Sequence, residues 1–482
     1  MEDIVSTINS YIWSDYLIYL CLGVGLFFSV ITRFVQVRMF RETLRLLFSS
    51  KESDKGISSF QALAVSLSGR VGTGNIAGVA AAIGFGGPGA VFWMWVVAFL
   101  GASTAYVEST LGQIYKEVDE GQYRGGPAYY IEKAMGQKWY AWIFAISTII
   151  ATGLLLPTVQ SNAIGNAAEL AFGAGASVST IIGAVSMTKL ITASGVVLIL
   201  GFIIFGGVKR IAHFTQIVVP FMALIYVLMA LVVIVMNITD LPRIVGMIIG
   251  DAFTPMAGFG AAIGWGVKRG VYSNEAGQGT GPHAAAAAEV QHPAQQGLVD
   301  TLFVCSATAF MILITGAYNV IPEGAEAIIE NLPLSTEINS PAFTQLALER
   351  VMGGFGTVFV AVALFFFAFT TLLAYYYIAE TNVAYIRRTI RIPYEITVLK
   401  IALLSAVFFG AVREASLAWG LGDIGVGLMA WLNIVGIVII FFLGKPAIKA
   451  LVDYEEQRKA GVTEYTFDPE KLGIKNADFW KK

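Results

Sequence analysis

Charge is scarce in this chain. Only 13% of its 482 residues are Asp, Glu, Lys or Arg, about half the share of a soluble domain, and that shortage excludes an ordinary soluble enzyme. Neither sign is in excess, with 31 Lys plus Arg against 33 Asp plus Glu, so no basic surplus points to nucleic acid as a partner. Histidine occurs only as His213, His283 and His292, too scattered for a histidine-ligated metal centre. Cys21 and Cys305 fall in apolar runs and form no CxxC pair, which argues against a disulfide framework and a zinc site. The stretch Met1 to Asp15 has no Lys or Arg and no small-residue cleavage site. It lacks a signal-peptide pattern, and the apolar run after it reads as a retained helix.

What the chain has instead is apolar mass: 56% hydrophobic residues, a mean hydropathy of +0.70, 51 Gly and 32 Phe. Glycine-rich apolar chains suit helices that pack closely, or break, inside a bilayer. A helix needs about 20 mostly apolar residues to cross the hydrocarbon core. Eleven stretches meet that need: 16–37, 60–85, 90–114, 139–160, 188–205, 215–236, 244–267, 298–318, 354–379, 396–411 and 424–443. The expected fold class is an all-α integral membrane protein of about eleven transmembrane helices in a lipid bilayer.

Lys and Arg favour the cytoplasmic side in short loops. Twenty-three of the 31 lie in the loops after spans 1, 3, 5 and 9 and in the tail beyond Leu443, whereas the opposite loops contribute only Arg243, Arg350 and Arg413. The N-terminus is therefore expected outside a cell membrane and the C-terminus in the cytoplasm. The loop from Asn319 to Met352, with five Glu and three Pro, reads as a small extracellular cap. The tail beyond Lys445 reads as a short helix with a frayed end.

Span 2 and its continuation carry Phe60, Ala62, Arg70, Asn75, Ala77 and Gly78. At a constant offset of 199 residues stand Phe259, Ala261, Arg269, Asn274, Ala276 and Gly277. Five spans separate helices 2 and 7, so they run in opposite directions and head two inverted halves. The chain then divides into an accessory helix and loop (1–59), a first five-helix repeat (60–243), a second (244–445) and a tail (446–482). Paired interrupted helices in two such halves mark a midplane transport site.

Gly72, Gly74 and Gly78 ease unwinding, which is tolerated at membrane depth only where protein or a water-filled cavity satisfies the freed backbone groups. Freed amides and the positive end of the following half-helix suit a carboxylate, while exposed carbonyls suit sodium and an ammonium. The expected ligand is a small zwitterion travelling with a cation. Close helix packing is the competing account of these glycines.

The runs Gly72-Thr73-Gly74-Asn75-Ile76-Ala77-Gly78, Pro88-Gly89-Ala90-Val91-Phe92-Trp93-Met94-Trp95, Tyr106-Val107-Glu108 and Ser273-Asn274-Glu275-Ala276-Gly277-Gln278-Gly279 resemble the alanine or glycine:cation symporter family, also called sodium:alanine symporters. The resemblance implies a leucine-transporter-like five-plus-five inverted repeat with discontinuous helices 2 and 7. It implies sodium-driven uptake of alanine or glycine by alternating access, with sodium as the coupling ion and no enzymatic cofactor. By motif, the amides of Thr73 and Gly74 would hold the substrate carboxylate, with Asn75 beside them and Gln160 and Trp265 as pocket walls. Sodium would meet the hydroxyls of Thr370 and Thr371 and the carbonyls of Phe367, Ser68 and Val71. Threonines in membrane helices also bond back to their own backbone, and that alternative stands beside the sodium reading.

Ionisable residues inside spans are costly, which singles out Glu108, Glu275, Glu380 and Lys400. Their depths favour structural roles for Glu108 and Glu380, the latter pairing with Arg387 or Arg388, and snorkelling for Lys400. Arg70 and Arg269 either form gate ion pairs, with Glu275 as a partner, or anchor helix ends. No nucleophile with a base, acid pair or metal-ligand set lies at membrane depth, so the chain does not read as an enzyme. Proton coupling and a channel are the rival readings, and paired broken helices favour a carrier over a pore.

Overall fold

The computed structural model describes residues 2–48, 57–180, 183–253, 258–301, 308–309 and 341–481. Among them, seven helices are long and apolar enough to cross a membrane: Gly89–Ile114, Lys138–Phe172, Met187–Ile204, Val208–Met236, Gly354–Arg387, Glu395–Val412 and Ala415–Gly444. Asp15–Ile31, bent by 40° from the helix before it, makes an eighth if the pair is one span. Two of the other expected spans are broken helices, none of whose pieces is among those seven. The third, from Leu298, lies mostly outside the described residues, as do Cys305 and most of the expected extracellular cap.

The first broken helix consists of Ser59–Arg70, a tight turn at Thr73–Asn75, and Ala77–Gly86. It starts on a reciprocal cap, in which the Ser58 hydroxyl accepts from the Gln61 amide and the Gln61 side chain accepts from the Ser58 amide. The second consists of Gly258–Asn274, an irregular stretch at 275–280, and Gly281–Ala287. The predicted span 244–267 is corrected here. Leu241–Ala252 is a separate helix that buries one face, Ile244, Ile248 and Ala252, and the crossing helix runs on past Val267 to Asn274. Hydropathy merged the two because no charge separates Asp251 from Lys268.

The broken helices lie side by side. A Cβ on Gly86 would touch Trp265, one on Gly74 would touch Tyr272, one on Gly69 would touch Glu275, and one on Gly281 would touch Arg70. Contacts therefore climb one helix as they descend the other, and the two breaks meet. Their structural offset is 204 residues, since Arg70 and Asn274 end the first halves and Ala77 and Gly281 begin the second.

Gly89–Ile114 and Gly354–Arg387 pack against these helices and are mostly enclosed. Val208–Met236 and Glu395–Val412 instead present an apolar face outward, with Phe221, Leu224, Val235 and Ile401 all more than half exposed. Such a belt is too large for a water-facing surface and fits a lipid-facing one. Within Lys138–Phe172, Ala151–Leu155 forms a widened π turn just before Pro157. A proline lacks the N–H that the ladder requires, and such turns relieve the mismatch.

Charged loops gather at one end of the bundle. Glu455 of the helix Pro446–Lys459 pairs with Arg33 and Arg38, and Arg124 of a two-stranded hairpin pairs with Asp119 and Glu380. Glu380 thus pairs with Arg124, while Arg387 and Arg388 take Asp119, Glu117 and Glu132. The tail is not frayed. It folds back so that Asn476 donates to the Lys133 carbonyl and the Trp480 indole to the Gln113 carbonyl.

This tail closes over Lys116, whose ammonium donates to the Ala288 carbonyl at 2.9 Å beneath the rings of Tyr123, Phe479 and Trp480. Removal from water outweighs these contacts and lowers the Lys116 pKa from 10.5 to about 7. An unfolded lysine keeps its proton up to the higher value. Between the two values the unfolded chain therefore binds more protons, and stability rises with pH. The thermal midpoint in detergent is expected to climb from pH 7 to pH 10 more steeply in the wild type than in Lys116→Met, and equal slopes would contradict the burial of an uncharged Lys116.

Candidate functional site

The first break is satisfied from three directions. The Asn75 side-chain oxygen accepts from the Gly72 amide at 3.0 Å, and Gln160 Oε1 accepts from both the Thr73 amide at 3.1 Å and the Thr73 hydroxyl at 2.7 Å. Thr308 donates to the Asn75 carbonyl, and Thr344 donates to that of Ile76. Helix Lys138–Phe172 brings Gln160 to this point, and Gln160 in turn donates to the Tyr272 hydroxyl at 3.4 Å. Glycine is required at position 72 because a Cβ there would stand 2.5 Å from Thr371 Oγ1 and 3.2 Å from Gln160 Oε1.

Beside Gly72, the Thr371 hydroxyl lies 2.6 Å from the Ser68 carbonyl and 2.9 Å from that of Phe367. Two helices thus place three uncharged oxygens together at the end of Ser59–Arg70, where the helix dipole is negative. Thr370 points elsewhere, to the Phe366 and Phe367 carbonyls and the Met222 sulfur. Val71 ends the same half-helix, and among the described residues no hydrogen bond joins it to Thr371.

Trp265 is not at the breaks. It stacks on Phe85 at 4.4 Å, with the Lys268 and Arg269 cations 5.1 and 5.2 Å above its ring. The aromatic groups near Gln160 are Tyr272 and, behind it, Trp419 at 5.3 Å.

The second break is held by the Glu108 carboxyl group. Its backbone turns through positive φ at Glu275, Gly277 and Gly279, which frees amides. Those of Gly277 and Gly279 donate to the two oxygens of Glu108 at 3.2 and 3.1 Å, and Asn433 donates to the same carboxylate at 2.7 Å. Asn433 also donates to the Gly277 carbonyl and accepts from Tyr130. Glu108 therefore holds the broken backbone open.

An ionic layer lies on one side of the breaks. Arg269 meets Asp423 through two parallel bonds of 2.9 and 3.0 Å, Lys268 joins at 2.7 Å, and the guanidinium lies 4.6 Å over Trp419. The partner of Arg269 is Asp423 and not Glu275. On the other side, Arg70 donates to the Asp300 main-chain carbonyl at 2.9 Å. Asp423 escaped the sequence reading because it lies one residue before the apolar run 424–443. Asn433 escaped it as a lone amide inside that run, and a polar residue in mid-span was the available signal.

Long apolar helices around two adjoining breaks, with neutral oxygens and amides met by side chains between Arg269 on one side and Arg70 on the other, define a membrane transport protein. The chain belongs to the sodium:alanine symporter family, whose description it matches over residues 1–469. It is 55% identical to YrbD of Bacillus subtilis strain 168, over all of this chain and 98% of YrbD, which is named provisionally as a sodium/proton-dependent alanine carrier. It is 47% identical to the sodium/proton-dependent alanine carrier protein of Bacillus sp. strain PS3, over 91% of this chain and 97% of that one. GlnT of Bacillus subtilis strain 168, named provisionally as a sodium/glutamine symporter, is 39% identical over 96% of this chain and 92% of its own.

Gly72→Ala tests this close approach. Sodium is expected to raise the melting temperature of the wild type by mass action, and Gly72→Ala should need roughly tenfold more sodium for the same rise, about 1.4 kcal/mol. An unchanged sodium response would show that the space between Gly72 and Thr371 is not used.

Proposed function

We propose that the chain is a sodium-coupled symporter of alanine or glycine, working by alternating access, with both ligands at the first break. The observation that carries this reading is the Thr73 amide and hydroxyl meeting one side-chain oxygen of Gln160, beside the oxygens of Ser68, Phe367 and Thr371. Gln160 Oε1 stands where a substrate carboxylate oxygen would accept the same two hydrogen bonds. The amide side chain can turn aside, or present its NH2 to the carboxylate.

The half-helix Ala77–Gly86 points its positive end at this place, which favours an anion. Thr73, Gly74 and Asn75 line it, and the Tyr272 ring lies so close that a Cβ on Gly74 would stand 2.8 Å from it. A small side chain is the one that fits. Thr371 with the Ser68 and Phe367 carbonyls forms the nucleus of the sodium site. Neutral oxygens suit an alkali cation, and Thr370 and the Val71 carbonyl join as the backbone adjusts. Trp265 acts from the edge, through Arg269.

The two broken helices head an inverted repeat, 60–243 and 244–445, that rocks around the site. The loops bearing most of the Lys and Arg face the cytoplasm and the N-terminus faces outward.

In liposomes, alanine is expected to accumulate under an inward sodium gradient and not to accumulate when sodium is absent. Thr371→Ala should raise the half-saturating sodium concentration about tenfold while changing alanine affinity at saturating sodium far less. Accumulation driven by a pH gradient with sodium absent on both sides would overturn the sodium assignment.

A further inference from the structure

Arg70 faces three buried carboxylates, Glu108, Glu275 and Asp300. They are not equally served. Glu108 has three donors, as described above. Asp300 is 0% exposed, and neither of its carboxylate oxygens has a hydrogen-bond partner among the described residues. The hydroxyls of Ser66 and Ser109 lie beside that carboxylate and are likewise buried without a partner. Gly281 packs among these groups, since a Cβ there would stand 2.7 Å from Arg70 Nη2 and 3.6 and 3.7 Å from the two serine oxygens. The guanidinium bonds to the main-chain carbonyl of residue 300.

Three ionised carboxylates around one guanidinium would leave two buried negative charges uncompensated. A buried group in that position gives up its charge rather than bear the cost. Glu108 cannot do so without losing the bonds that hold the second break, so the two that give up their charge are Glu275, which lies beside Thr280 and Tyr375, and Asp300. Asp300 can, because the two hydroxyls beside it can turn either to donate to a carboxylate or to accept from a carboxylic acid. Other charges near its short helix, Pro293–Val299, are paired among themselves: His292 with Asp453, and Glu42 with Arg45 and Arg458. A metal cation fits poorly, because one carboxylate and two hydroxyls are too few oxygens for a hard ion and a guanidinium faces them.

We propose that Asp300, with Ser66 and Ser109 beside it, is a proton-binding site of the transport cycle. The inference rests on the carrier reading above and assigns to particular residues the proton dependence that the names of YrbD and of the Bacillus sp. strain PS3 carrier state. The carboxylate takes a proton from water in one orientation and returns it to water in the other. One O–H bond forms and breaks, with no other reactant. Arg70 ends the half-helix that carries Ser68, and Gly281 begins the half-helix beyond the second break. A change of charge at Asp300 is therefore felt where the moving parts of both helices meet.

The test uses purified full-length protein in liposomes with equal sodium on both sides, the membrane voltage clamped with potassium and valinomycin, and a pH dye trapped inside. External alanine is added, and alanine entry and internal acidification are read together. The wild type should move protons in fixed ratio to alanine. Asp300→Asn should lower that ratio at least tenfold, and Asp300→Glu should keep it. Ser109→Ala, a milder change, should shift the pH dependence of uptake alkaline by about half a unit or more, because the carboxylate loses a donor. Alanine entry with no acidification in the wild type would overturn the proposal, as would an unchanged ratio in Asp300→Asn or an unshifted profile in Ser109→Ala. Failure of the carrier reading is distinct, since it shows as no alanine uptake under a sodium gradient.

Discussion

A helix broken inside a bilayer strands amides and carbonyls that water cannot reach, and each such group left unmet costs several kcal/mol. How the two breaks meet this demand organises the molecule. The first uses neutral, rotatable side chains, Gln160 and Asn75. The second uses a carboxylate, Glu108, fixed by two amides and Asn433. Neutral acceptors can be exchanged for a ligand's oxygens at little net cost. A buried charge with three donors cannot be displaced so readily. In the proposed function this asymmetry makes the first break the ligand site and leaves the second as fixed backbone beside it.

The ionic layers on either side follow the same logic. A buried ion pair contributes little net stability against a well-packed apolar replacement, and removing one partner is what costs heavily. The pair Arg269 and Asp423, stacked on Trp419 and joined by Lys268, therefore acts chiefly by specifying one closed arrangement. Arg70 sits on the opposite side among carboxylates of unequal hydrogen bonding, where charge can change. Between them lie the oxygens of Ser68, Phe367 and Thr371.

Much of this was legible in the residues. Scarce charge and abundant glycine foretold a helical membrane protein, and Gly72 to Gly78 lies at a real break. Gln160, Thr73, Asn75 and Thr371 stand close together around Gly72, and their roles toward a ligand belong to the proposed function. The offset of 199 residues matched two helices that are both broken, but the breaks themselves are offset by 204, because matching letters respond to packing glycines and to arginines as much as to backbone geometry. The start of helix 7 was misplaced because no charge lies between Asp251 and Lys268, so hydropathy merged Leu241–Ala252 with Gly258–Asn274. Trp265 was placed in the pocket by the family resemblance, whereas helical spacing carries it two turns away from Tyr272. Asp423, Asn433 and the Asp300 cluster depend on contacts between helices far apart in sequence, which no local pattern contains.

The central claim is that sodium and the amino acid share the first break, the cation on its carbonyl side and the carboxylate on its amide side. If so, each must strengthen the other, and by the same factor, because coupling between two binding sites is reciprocal. Isothermal titration of the purified protein measures this directly, with alanine titrated at zero and saturating sodium and sodium titrated at zero and saturating alanine. The account predicts equal enhancements of at least tenfold in both directions. Alanine binding that is indifferent to sodium would contradict it.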